Sequence, residues 1–287
     1  MPESVSAAPD AWLIEPRAQG VSARAREVWR YRRMFRFFAA RAVEKLYRRT
    51  VLGKAWIVLR PIIPLVMRVF VFGSLLNVSG KTTTPYFLFV AVGTAAWDLF
   101  ASSVMWATRS LELNSGTLTR IYVPRLILPL ATMVPGFVYF VVHLAVIVGT
   151  LVFYRFQHGV WYLDATWLFV APVALVLIVL TALAIGLWTS VLGAGARDVR
   201  FGLSYVLEFW IYVTPVVYPL TIVPPDVARA MMFNPLSVFV VAFRGAILGG
   251  EGPEPWAWGV ALATVGVALA AGLTFFLRAE AEAVDSL

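Results

Sequence analysis

Six stretches of about 20 predominantly apolar residues punctuate this 287-residue chain, over residues 55–77, 86–108, 126–153, 167–192, 201–222 and 256–277. A bilayer core of about 30 Å takes about 20 residues of α-helix. Backbone polar groups find no water there, so a helix, which bonds its own, is the economical way across. Composition points the same way: 60% of residues are hydrophobic and only 14% charged, against about 25% charged in a soluble domain. The mean hydropathy is +0.80. We therefore expect an all-α integral membrane protein with six transmembrane helices. A seventh apolar stretch, 227–248, is broken by Asn234-Pro235 and carries Arg229 and Arg244, so it reads as a pair of short re-entrant or interfacial helices, whose backbone protein or water would satisfy.

The net charge of +8 is unevenly placed, with twelve of the 24 Lys and Arg before residue 55. Arg109, Arg120, Arg125, Arg197, Arg200 and Arg278 fall on the same side as that segment, whereas the alternate loops hold only Lys81, Arg155, Arg229 and Arg244. Positive residues stay in the cytoplasm, so both termini are expected there. Residues 1–26 are polar with Pro and Gly, lack an apolar signal region, and read as a flexible cytosolic tail. Residues 27–54 form an amphipathic interface helix and 55–287 the six-helix domain. On the interface helix Tyr31, Phe35, Phe38, Ala42 and Leu46 share one stripe, with Arg33, Arg36, Glu44 and Arg48 mostly opposite. Such a helix lies in the membrane surface. It serves as an anchor, or as a gate or docking element for a cytosolic partner.

Ser79-Gly80-Lys81-Thr82 imitates the end of a phosphate-binding loop, but the glycine required five positions before Gly80 is Leu75, and Pro85 interrupts any following helix. It also falls in an external turn. There is no cysteine, and no carboxylate pair, nucleophile triad or metal-ligand cluster is visible; His143 and His158 stand without companion ligands. His143 reads as a hydrogen-bonded packing residue. No internal repeat speaks for an inverted-repeat transporter.

Four charges fall inside spans: Arg60, Arg68, Asp98 and Glu208. Each is costly unless paired or hydrated. Arg60 is shallow and reads as a snorkelling side chain, whereas Arg68, Asp98 and Glu208 sit at similar depths and read as interhelical pairs or the wall of a hydrated path. Trp161, Tyr162, Trp167, Trp256 and Trp258 are expected as interfacial anchors. Trp97, Trp106, Phe209, Trp210 and Tyr212 lie deeper, where core packing is the default and a glycan-stacking lining the alternative.

Five stretches resemble the permease subunits of polysaccharide-exporting ABC transporters, the type-2 exporters of O-antigen, capsule and teichoic-acid glycans. They are LYRRTVLGKAWIVLRPIIPLV, ELNSGTLTRIYVPRLILPL, ARDVRFGLSYVLEFWIYVTPVVYPL, FNPLSVFVVAFRGAILGG and FFLRAEAEAVDSL. The resemblance runs from residue 27 nearly to the end. It implies a non-enzymatic, homodimeric permease of the bacterial inner membrane, worked by two separate ATP-binding-cassette subunits that bind ATP and Mg. Residues 111–125 would be the coupling helix on the ATPase, with Asn114, Leu118, Arg120, Tyr122, Pro124 and Arg125 as its contact residues. Residues 27–50 would form the gate and 226–248 the external re-entrant pair. Arg33, Arg36, Arg48, Arg49 and Arg60 are candidates to hold the pyrophosphate of a lipid-linked glycan, although Arg60 stands where the family carries a polar uncharged or small residue. Arg68, Trp97, Asp98, Glu208, Trp210 and Tyr212 are channel-lining candidates. Two alternatives remain open: a drug- or small-lipid-exporting branch of the same superfamily, and an ATP-independent channel or scaffold.

Overall fold

The computed structural model describes residues 21–118, 122–164, 166–250 and 252–285, and these form helices joined by short connections. In chain order the helices are α1 (Val21–Arg30), α2 (Arg32–Glu44), α3 (Trp56–Arg68), α4 (Tyr86–Thr108), α5 (Ser115–Leu118), α6 (Ile127–Thr132), α7 (Val134–His158), α8 (Trp167–Gly195), α9 (Arg197–Val213), α10 (Pro225–Met231), α11 (Pro235–Leu248) and α12 (Pro255–Asp285). Residues 1–20 of the expected tail lie outside the described residues, and its last part is helical in α1.

Five helical stretches are long and apolar enough to cross a membrane: Gly53–Leu75, Tyr86–Thr108, Ile127–His158, Leu168–Gly195 and Pro255–Glu280. Each coincides with an expected span. The remaining one, expected over 201–222, is built differently. Helix α9 starts four residues earlier, has 17 residues and stops at Val213. At 1.5 Å per residue it is about 25 Å long. Thr214 is extended, Pro215 follows, and the chain continues outward to a short 3-10 turn, Leu220–Ile222. A residue before proline is pushed out of the helical region, which is why the helix ends there. The next stretch is a bent helical pair, as expected: α10 and α11 meet at 101° across Asn234. The Asn234 side chain accepts from Leu236 N–H at 3.2 Å and donates to Thr214 Oγ1 at 3.0 Å, capping α11 and fastening the bend to the end of α9.

Span one is irregular for a visible reason. Pro61 and Pro64 sit inside α3, each removing one helical hydrogen bond, and the span continues as a π-helix, Val69–Leu75. Span three is broken near Met133, where the short α6 passes to α7 with Pro135 in its first turn. Helix α4 forms the centre, packed by α7, α8 and α11. Small residues permit the contact: a Cβ on Gly186 of α8 would lie 2.6 Å from the Cβ of Ala107 on α4.

Two ends of the bundle can be told apart. One holds a compact apolar cluster of Phe38, Leu111, Val123, Ile127, Leu128, Leu187, Val191 and Phe276. This brings α2, the 109–126 connection, the end of α8 and the late part of α12 to the same end, as an even number of crossings requires. At the opposite end Asp164 N–H donates to Ile247 O at 2.9 Å and Tyr86 OH to Val217 O at 2.7 Å. The apolar stripe of α2 is covered by protein rather than by lipid: Phe38, Ala42 and Leu46 are buried. The interface segment is also not one helix, because it turns at Tyr31 and leaves helical form after Glu44.

Candidate functional site

The described parts of the 109–126 connection, 109–118 and 122–126, are held by several side-chain bonds. Asn114 is buried and donates from Nδ2 to Ser110 O at 2.8 Å, while Ser115 Oγ donates to Glu112 O at 3.1 Å. These bonds close the turn from within. Glu112 pairs with Arg109 at 3.6 Å and with Arg200 at the start of α9. Lys45 Nζ donates to Leu113 O at 2.8 Å and Arg41 to Thr117 Oγ1 at 2.9 Å. Tyr122 OH donates to Glu27 at 2.7 Å, and the Tyr31 ring meets Tyr122 edge-on at 6.3 Å. Burial first, then the neighbouring Arg41 and Arg109, hold the Lys45 ammonium below its ordinary range, with Glu112 opposing. The described parts of the loop are therefore tied to α1, α2 and α9.

Among the expected coupling residues, Leu118 packs at the edge of the basal cluster, Pro124 is buried, Arg125 is half-buried and Tyr122 is turned outward while bonded to Glu27. Arg120 lies outside the described residues. What the sequence concealed is the bond between the two candidate elements, gate and coupling loop. The signal was present, since Arg41, Lys45 and Arg49 recur every four residues along one helical line.

The basic candidates divide. Arg48 and Arg49 line an opening of about 350 Å³ together with Lys45, a member missed in the sequence. Arg49 holds a positive φ of 59°, a conformation that costs a non-glycine residue about 1–3 kcal/mol. The turn after α2 is thus held in a strained form that brings Arg48 and Arg49 to one opening, with Arg48 also 3.6 Å from Glu44. Arg33 and Arg36 are exposed on α2, and Arg60 lies 5.8 Å over the Trp56 ring, so neither α2 nor span one brings them to that opening.

Inside the bundle, Arg68 donates from Nη1 to Asp98 Oδ1 at 3.3 Å. The other carboxylate oxygen lies 3.5 Å from His143 Nε2, and His143 Nδ1 lies 3.1 Å from Tyr139 O. The Arg68–Asp98 pair ties span one to span two, and His143 of span three lies against it without a hydrogen bond from Nε2. His143 is fully buried and the Asp98 and Arg68 side chains are only 16% and 22% exposed. Removing one partner of a buried pair costs about 3–5 kcal/mol, because the other charge is left desolvated. Trp97 corrects an expectation: it is buried in the core against Phe100, 5.5 Å between ring centres, and does not line an open surface of the chain. Trp210 is half-buried against the other side of Phe100, also at 5.5 Å. Tyr212 and Glu208 are exposed on α9. A carboxylate facing lipid at mid-depth costs about 2.5–3.5 kcal/mol on insertion scales, so the Glu208 face requires water or protein against it.

Arg244, counted from sequence as a loop residue, is buried on α11. It donates to Pro215 O at 2.8 Å and Val216 O at 3.4 Å, with its guanidinium 3.8 Å over Phe89. A Cβ on Gly93 would fall 2.6 Å from Val216 O, so α4 presses the same strand from beneath. Backbone bent out of helix is thereby satisfied by a side chain.

The chain belongs to the ABC-2 type transporter family, whose model matches residues 33–248. It is thus a multi-pass membrane protein and a transport permease subunit of a family that works with ATP-binding partners. It is similar to the O-antigen export system permease protein RfbA of Myxococcus xanthus, 28% identical over 249 residues that cover 85% of this chain and 91% of that protein. A protein of the same name from Klebsiella pneumoniae is 24% identical over 204 residues, covering 71% of this chain and 76% of its own length.

Proposed function

We propose that the chain is the permease of an ATP-driven exporter that moves a lipid-linked polysaccharide out of the cytoplasm across the inner membrane. Similarity to O-antigen export permeases over most of both lengths favours this reading above export of drugs or small lipids and above an ATP-independent scaffold. Two copies would face each other, each with an ATP-binding-cassette subunit that binds ATP and Mg. The basic end of the bundle would face the cytosol, because that is where topology rules keep Lys and Arg.

The observation that carries the mechanism is the set of bonds from Arg41 and Lys45 to the 109–126 loop. The loop would dock on the ATPase through its turn, with Arg120, Tyr122 and Arg125 at the contact, and Asn114, Leu118 and Pro124 keeping its shape. A push on it would then reach the gate segment directly, through α2, and α9 through Arg200. Lys45, Arg48 and Arg49 would hold the pyrophosphate by charge-assisted hydrogen bonds, with Arg33, Arg36 and Arg60 guiding the headgroup toward them. Glycan would then pass the face of span one and α9 that carries Tyr212 and Glu208.

The test is a reconstituted complex of this chain with its ATPase. Arg41→Ala with Lys45→Ala should abolish glycan-stimulated ATP hydrolysis while the subunits still co-purify. Unchanged stimulation would refute the coupling role. Stimulation by drugs or phospholipids but not by lipid-linked glycan would transfer the chain to the other branch of the superfamily.

A further inference from the structure

Arg68 has one acceptor in this conformation, Asp98, through one long bond of 3.3 Å, and its side chain retains some exposure. A second carboxylate stands at the same level. Phe72 of span one stacks on Tyr212 of α9, with ring centres 6.2 Å apart and planes 29° apart. Both helices run outward from the basal end, so they are parallel neighbours at that contact. Four residues back is close to one turn on each helix, in α or π geometry alike. Arg68 and Glu208 therefore flank the same seam, one turn below the stacked rings. Glu208 is exposed, and among the described residues it makes no ion pair.

The packing on the two sides of Arg68 is unequal. Only 11% of the span-one window is buried in the chain, against 78% of the α4 window. Span one packs on α7 and α4 through a narrow face that buries Pro61 and Leu65, and it is softened by Pro61, Pro64 and the π-helical turn next to Arg68.

We propose that Glu208 is the second acceptor for the Arg68 guanidinium, so that span one has two ion-paired positions: one held to α4 by Asp98, the other drawn against α9 by Glu208. In the first position the seam between span one and α9 is open below Phe72. In the second it is closed. His143 Nε2 stands 3.5 Å behind the other Asp98 oxygen without a hydrogen bond to it. A buried arginine that always has a carboxylate in reach can change partners without a fully desolvated intermediate, which is what a two-position element requires. Glu208 is in this sense a positioning residue, acting on span one through Arg68.

The inference rests on geometry within one chain, and its first test needs neither substrate nor ATPase, so its failure is distinct from failure of the transport reading. The chain has no cysteine. Met67→Cys and Val206→Cys, both at exposed positions, can carry spin labels in the full-length protein in nanodiscs. Asp98→Asn should shorten the 67–206 distance, and Asp98→Asn with Glu208→Gln should restore it. An unchanged distance in Asp98→Asn, or a shortening that persists in the double variant, would overturn the proposal. Should Asp98→Asn fail to fold, Glu208→Gln, at an exposed position, decides it in the reconstituted exporter. Transport should fall by at least about fivefold with yield and melting temperature unchanged, and Glu208→Asp should recover most of it. Full transport by Glu208→Gln, or no recovery by Glu208→Asp, would count against it.

Discussion

Span one and span two are neighbours of similar length, yet the chain treats them oppositely. The span-two window is 78% buried and that of span one 11%. Helix α4 is regular, lined by Leu88, Leu99, Phe100 and Val104 in the core, and pressed by α7, α8 and α11. Span one carries two prolines and a π-helical turn, and it shows Val58, Ile63, Val66, Met67 and Phe70 outward. The difference teaches that the permease is built as a fixed pillar with a loosely attached wall. A helix held by packing is rigid, because every displacement opens voids. One held by a narrow apolar face, an ion pair and a stacked ring has fewer contacts to break when it shifts.

The comparison can be broken first where it is sharpest. Phe100→Ala in the pillar should cost about 3–5 kcal/mol, whereas Phe70→Ala on the wall should stay within about 0.5 kcal/mol; melting of the purified variants in detergent reads the contrast. Equal losses would mean that span one is packed after all, in the assembled protein if not in the single chain. Next in size is Asp98→Asn with Glu208→Gln, which leaves Arg68 without either carboxylate and should cost about 3 kcal/mol, the low end for a pair that retains some exposure. Arg68→Met with Asp98→Leu should restore most of that loss, and additivity in the cycle would show that the two charges are not coupled. Smaller again is Arg41→Ala, which removes one tie between α2 and the loop and should cost about 1 kcal/mol.

The smallest effect concerns Lys45, whose folded-state pKa is lowered chiefly by burial. The unfolded chain then binds more protons between the folded value and the ordinary lysine value of 10.5, so stability should rise with pH across that window. Lys45→Gln should flatten this alkaline rise relative to the parent protein, and a parallel pH profile would refute the shift.

Much of the fold was legible because a bilayer imposes one rule on every crossing, and runs of about 20 apolar residues are hard to hide. The early end of α9 was hidden because Val216, Val217 and Leu220 continue the apolar run while Pro215 ends the helix, and hydropathy does not register that change. Arg244 was counted with the external basic residues because a charge in a broken apolar stretch suggests an exposed site, whereas here it is buried and satisfies the Pro215 and Val216 carbonyls. Depth arithmetic brought Arg68, Asp98 and Glu208 to one level, but only the packing decided which carboxylate holds the arginine. His143 escaped because its partner lies 45 positions away on another span, a proximity that no spacing rule reveals.

The account depends most on which side of the membrane the basal end faces. Gly116→Cys in the turn of the 109–126 loop and Ser79→Cys in the opposite turn are both exposed positions in a chain without cysteine. A membrane-impermeant maleimide applied to intact spheroplasts should label Ser79→Cys and leave Gly116→Cys untouched until the membrane is opened. Labelling of Gly116→Cys from outside would place the loop beyond the reach of any cytosolic ATPase and contradict the account.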